Sequence, residues 1–158
     1  MIVRIEDLPR QTLLGKRLTM SLTNNRTGEL WRNFMPLRHT IKNAVGTNLF
    51  SVQIFKNVFT YNNPNTLFEK WAAVPVTDFS TTPAGMEPLL IPEGRYAVFI
   101  YRGSSAEGHK VFDYIFNTWL PTTDYEIDHR PHFELLGENY KNNDPTSEEE
   151  IWIPVKAK

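Results

Sequence analysis

Apolar residues recur along this chain in short runs whose period shifts between alternation and helical spacing, and those shifts divide it into elements. Leu13 to Leu22 alternates in part and reads as a strand. Asn24 to Gly28 is a turn that can cap a helix, and Leu30, Phe34, Leu37 and Ile41 then fall at the spacing of one helical face. Pro36 lies inside that stretch and must end or kink the helix unless the helix starts late. Phe50 to Phe55 reads as a strand, Tyr61 to Asn65 as an Asn-rich turn, and Leu67 to Val76 as a strand. The same order returns after a polar linker, Ser80 to Gly85. Arg95 to Tyr101 is a strand, and Ser104 caps a helix carrying Phe112, Ile115, Phe116 and Trp119 until Pro121 stops it. His132 to Leu136 is a short strand, Asn142 to Pro145 a turn, and Glu149 to Val155 the closing strand.

Each half is thus strand, helix, strand, strand. Gly15 to Leu22 resembles Gly94 to Tyr101, and Val74-Pro75-Val76 resembles Ile153-Pro154-Val155, both pairs 79 positions apart. The pattern predicts a single α+β domain over residues 1–158, built of two repeats (about 1–79 and 80–158). It should hold about eight mostly antiparallel strands with two main helices on one face. The seam between two such halves is a favoured place for a small-molecule pocket.

Composition narrows the function. The hydrophobic share is 41% and the aromatic share 13%, which suits a full core or an aromatic-lined cavity. The formal net charge is −1, with no basic run, so nothing points to direct nucleic-acid binding or an anionic membrane surface. The densest charge cluster, Glu148-Glu149-Glu150, reads as a solvated strand start. The chain has no cysteine, which removes thiolate chemistry and suits a cytoplasmic setting. Arg4, Glu6, Asp7 and Arg10 interrupt any signal-peptide core, and no apolar stretch reaches the ~20 residues of a membrane span.

Four segments in order carry a family likeness: Ile91 to Phe99 followed by Gly103, Trp119-Leu120-Pro121, Pro131-His132-Phe133-Glu134, and Ile151 to Val155. Together they resemble the GyrI-like, or AraC-type, effector-binding superfamily, which includes drug-sensing domains of bacterial multidrug regulators and free-standing integron-associated proteins. The resemblance implies a pocket between the two helices, floored by the sheet, for flat or cationic organic molecules. Its usual centre is the acid of a Phe-Glu-Xaa-Tyr segment, which falls on Glu134; the tyrosine position holds Leu136 instead. A further reading is an interaction protein, as in the family members that inhibit gyrase, with gyrase or a separate regulator as its protein partner and an exposed apolar patch as its signature. The chain is expected as a monomer or weak dimer.

The residues themselves offer candidates. Alternation puts Glu134 on one face with His132 and Leu136, an acid in apolar company that must find a donor, keep its proton or meet a cation. Aligning Ser51–Phe55 with His132–Leu136 sets Gln53 at the mirror position, as a second polar group for a ligand or a plain solvent-facing residue. Trp31, Phe34, Trp71, Tyr96 and Trp119 are the candidate aromatic walls, two or three of them expected to touch ligand. Phe112, Ile115 and Phe116 are assigned to the core.

The leading reading is a non-enzymatic binder of hydrophobic molecules, cationic ones among them, acting as sensor or sequestering module without a cofactor. Hydrolysis of strained electrophiles in the same pocket, with Glu134 activating water and Tyr96 or Tyr140 assisting, is the alternative. A Ser104, His109, Asp113 triad fails because Ser104 is a cap and all three lie along one surface helix. His129 and His132 lack a third metal ligand, so no metal is expected.

Overall fold

The central strands are buried on both faces, which is why alternation reads so weakly in them. Within one strand Tyr96 and Val98 point into one apolar cluster while Ala97 and Phe99 point into another, and all four are fully buried. The computed structural model describes residues 1–158. Its strands are β1 (Ile2–Leu8), β2 (Gln11–Met20), β3 (Leu49–Ile54), β4 (Phe68–Pro75), β5 (Glu87–Ile91), β6 (Gly94–Arg102), β7 (Tyr125–Ile127), β8 (His132–Leu136) and β9 (Glu148–Ala157). The helices are α1 (Thr27–Phe34) and α2 (Gly108–Asp113).

The result is an α+β fold with nine strands, all paired antiparallel, in the order β1-β6-β9-β8-β3-β4-β2-β5, with β7 beside the end of β9. The order is symmetric about the β8–β3 pair. Strand registers in the two halves are related by a displacement of 81 residues: Gly15 pairs Ala73 as Tyr96 pairs Pro154, and Val52 pairs Trp71 as Phe133 pairs Trp152. The spacing of 79 drawn from Gly15 and Gly94 therefore differs from the structural register by two residues. Two residues keep side chains on the same face of a strand, so the likeness survives the slip.

Two further differences follow. The chain before the expected first strand is itself a strand, β1, so each half begins with an additional strand. β1 joins β6 of the second half and β5 joins β2 of the first, with matching registers. Pro9-Arg10 and Pro92-Glu93 each carry the chain from one end of the sheet path to the other in two residues. So short a link forces the two ends together, and the sheet curls. Inside the curl lie Leu13, Phe50, Val52, Trp71, Leu89, Ile91, Tyr96, Val98, Phe133 and Trp152, with no helical residue among them. Matching groups close this core: Trp71 donates its indole N–H to Glu69 beneath Arg17, and Trp152 donates to Glu150 beneath Arg4.

Both helices lie on the outer face. Leu30 and Phe34 of α1 pack on Leu14, Ala72 and Val74; Val111 and Ile115 pack on Phe99, Ile151 and Ile153. Pro36 does end α1: residues Met35–Thr40 form a 3-10 turn, which takes Leu37 out of the apolar face and leaves it exposed. α2 widens into a π-helical segment, Tyr114–Trp119, before Pro121. No helix is long and apolar enough to cross a membrane.

Candidate functional site

α1 lies over β2 and β4, and α2 over the β6–β9 side, so the outer face of β3 and β8 is the floor between them. Alternation places Ser51 and Gln53 of β3, and His132, Glu134 and Leu136 of β8, on that floor. The local symmetry axis passes between the paired Val52 and Phe133, so Gln53 and Glu134 are each other's counterparts. They meet across it: Gln53 Nε2 donates to Glu134 Oε2 at 2.8 Å. Beside them, Lys70 of β4 stands opposite Gln53, and Ile151 of β9 opposite Glu134.

The two ends of the floor differ, because counterpart positions carry different chemistry. At the first, the loop after β3 folds Phe55 and Phe59 edge-on against His132, with ring centroids 5.0 and 5.2 Å away. Phe59 also meets Phe116 at 4.9 Å, and Tyr61 stacks on Phe116 at 5.1 Å. His132 is neutral here: burial pushes its imidazole down to about 3, and Arg130 and His129 add to the effect. At the opposite end Glu149 stands where the first half has Phe68, Leu136 where it has Phe55, and Tyr140 where it has Phe59.

Glu149 forms no hydrogen bond or ion pair, lies one diagonal step from Glu134, and faces Tyr101 across the β6–β9 ladder. Burial, then the neighbouring Glu134 charge, raises its pKa to about 8, against a smaller opposing pull from Lys70. Burial and the same two acids also raise the Tyr140 phenol. Glu149 lines an open polar hollow of about 460 Å³ with Thr47, Asn48, Glu138 and Asn139. A second hollow of about 230 Å³, between Lys42-Asn43 and Thr77–Thr81, has no apolar lining. Its single acid, Asp78, is occupied by Ser80.

Of the residues singled out from sequence, Glu134 and Gln53 are brought together. Trp31 is half-buried on α1, edge-on to Phe34 and packed against the apolar cluster beneath that helix. Phe34 is fully buried beneath α1 and is core. Trp71 and Tyr96 are on the wrong side: both point into the curl of the sheet, Tyr96 donating its hydroxyl to the Pro131 carbonyl at 2.7 Å. Each sits on a strand buried on both faces, where apolar character cannot tell inside from outside. Trp119 packs edge-on against Phe99 of β6, two strands from Glu134. Phe116, assigned to the core, does pack there, yet it also supports Tyr61.

Phe59 falls between the predicted strand and the Asn-rich turn that Tyr61 opens, and nothing local marks either ring. Glu149 had a signal. Counting back by twos from Val155, Ile153 and Ile151 reaches Glu149, so the middle acid of Glu148-Glu149-Glu150 faces the helices.

Residues 4–155 match the family model of Cass2, the integron-associated effector binding protein. The transcriptional regulator BrlR of Pseudomonas aeruginosa is 24% identical over 156 residues, which are 98% of this chain and 56% of that regulator's length. The structure of SAV2435 bound to tetraphenylphosphonium superposes with a TM-score of 0.66 at 20% identity, covering 99% of this chain and 94% of the other. The integron cassette protein VCH_CASS2 of Vibrio cholerae superposes with a TM-score of 0.64 at 14% identity, covering 98% and 95%. At these identities the structural likeness is one of fold.

Proposed function

The chain belongs to the integron-associated effector binding protein family, and from that premise we propose that it binds hydrophobic organic cations between α1 and α2, as a sensing or sequestering module. The observation that carries this reading is the hydrogen-bonded Gln53–Glu134 pair, set on the symmetry axis in the middle of the floor. Gln53 holds the carboxylate in place without neutralising it, so its charge is left for a guest. Phe59, Tyr61 and Phe116 at one end, and Trp31 on α1, supply ring faces for a flat or aryl-bearing cation. The tetraphenylphosphonium complex of SAV2435 supports that ligand class.

Titration with tetraphenylphosphonium, followed by calorimetry and by tryptophan quenching, tests the reading. Two unit charges 4 Å apart interact by about 4 kcal/mol at an effective dielectric of 20, and partial solvation reduces this. Glu134→Gln should therefore weaken binding by about tenfold or more, which corresponds to about 1.4 kcal/mol. Quenching should fall in Trp31→Phe and leave only what Trp119 contributes, since Trp71 and Trp152 are enclosed in the curl. Absence of binding, or equal affinity in Glu134→Gln, refutes the proposal.

Tyr140, beside Glu134 and Glu149, favours hydrolysis of a strained electrophile as a second reading, with Tyr96 removed from it. Catalytic turnover of such compounds, lost in Glu134→Gln, would support it; loss of no more than one equivalent would dismiss it.

A further inference from the structure

The acid end of the floor carries an inference that rests on the proposed binding site and deepens it. Glu149 and Glu134 project from the same face of adjacent strands as diagonal neighbours, a relation that sets the two residues roughly 7–8 Å apart with their Cβ atoms somewhat closer. Their surroundings differ. Glu134 accepts from Gln53, whereas Glu149 accepts from nothing and has no cation within ion-pair distance. The groups facing Glu149 are Tyr101 on β6, Glu134 on β8, Tyr140 in the β8–β9 loop and Lys70 on β4. Only Lys70 is basic, and it stands across the floor opposite Gln53. The counterpart of Glu149 in the other half is Phe68, packed against Phe55 at 5.4 Å. An acid has therefore taken an apolar site at one end, while the other end keeps its rings.

We propose that Glu149 holds a proton while the site is empty and releases it when a lipophilic cation settles against Glu134, so that the protein exchanges one proton for one cation. The carboxylic O–H of Glu149 breaks, the proton passes through the polar hollow to solvent, and the new carboxylate shares the guest's positive charge with Glu134. The hollow, lined beside Glu149 by Thr47, Asn48 and Asn139 and by the further acids Glu138, Glu148 and Glu150, provides the path. Burial together with the adjacent Glu134 charge supplies the reason that the proton is retained at neutral pH.

Calorimetric titration of the full chain with tetraphenylphosphonium near neutral pH, in buffers of different ionisation enthalpy, counts the protons released. The wild-type protein should release close to one, and its affinity should rise about tenfold or more between about pH 6 and about pH 9. Glu149→Gln should bind with no proton release and a flat pH profile. Wild-type binding without proton release, or the same pH slope in Glu149→Gln, overturns the exchange and leaves the proposed binding site standing. No binding at any pH removes both. Carboxyl NMR of protein labelled in its glutamates reads the group without ligand: a resonance absent from Glu149→Gln should titrate near neutrality or above, and titration in the ordinary carboxylate range overturns the proposal.

Discussion

Replacing Glu149 by glutamine should stabilise the folded protein, and the gain should grow with pH. On folding, burial and the Glu134 charge raise the pKa of this acid from 4.5 to about 8. The folded state binds that proton more tightly than the unfolded chain, so the group stabilises the fold fully below about pH 4.5. The contribution is lost progressively up to about pH 8, beyond which the fold must hold a charge that it disfavours. At 1.36 kcal/mol per decade of proton affinity, the span for a lone, fully buried acid is about 5 kcal/mol. That is an upper bound here, because Glu149 is half-buried and titrates together with Glu134. Solvent in the adjoining hollow screens the carboxylate, which brings the figure to roughly 2–5 kcal/mol. Glutamine keeps nearly the same shape and cannot ionise. At roughly 2–4 °C per kcal/mol for a chain of this size, the Tm advantage of Glu149→Gln should widen by about 5 °C or more between about pH 5 and about pH 9. Paired thermal melts of the two proteins measure it. A Tm difference that does not change with pH would refute the burial argument, and with it the claim that this side chain faces the floor.

The other tests probe the two faces separately. Trp71→Phe should lower stability by about 1–3 kcal/mol in chemical denaturation, because the indole fills the curl and donates to Glu69, while the Kd for tetraphenylphosphonium stays unchanged. A weaker Kd at unchanged fold would place Trp71 in the site after all. Tyr61→Ala should do the reverse: its ring is half-exposed and stacks on Phe116, so affinity should fall about threefold to tenfold with little change in Tm, as measured by the same titration and melts.

Much of the acid-centred floor was legible before the structure. Glu134 could be marked because the family resemblance sets the central acid there and an acid amid Phe133, Leu135 and Leu136 demands a partner. Alignment of the halves put Gln53 at the mirror position. The structure joins the two by a direct hydrogen bond, a contact that neither reading of Gln53 contained. The aromatic residues were a harder case. Trp71 and Tyr96 have the composition of pocket walls, yet their strands are covered above by helices and below by the curl, so ring content alone carried no direction. Glu149 shows the opposite failure, an informative position hidden in a run of three acids that reads as a solvated face.

What the chain determines by itself is local: strand and helix order, the break at Pro36, the likeness of the halves, and the acid at position 134. These follow from backbone sterics and from periodicities of two and about 3.6 residues, which act between near neighbours. Which face each ring serves, how β1 and β5 trade halves, and how Glu149 comes to stand beside Glu134 were decided only by tertiary structure. Strand pairing joins residues far apart in sequence, and the curl imposed by two short links sorts identical apolar character into an interior and an outer face that carries the helices. Burial and charge proximity arise only once that sorting is complete.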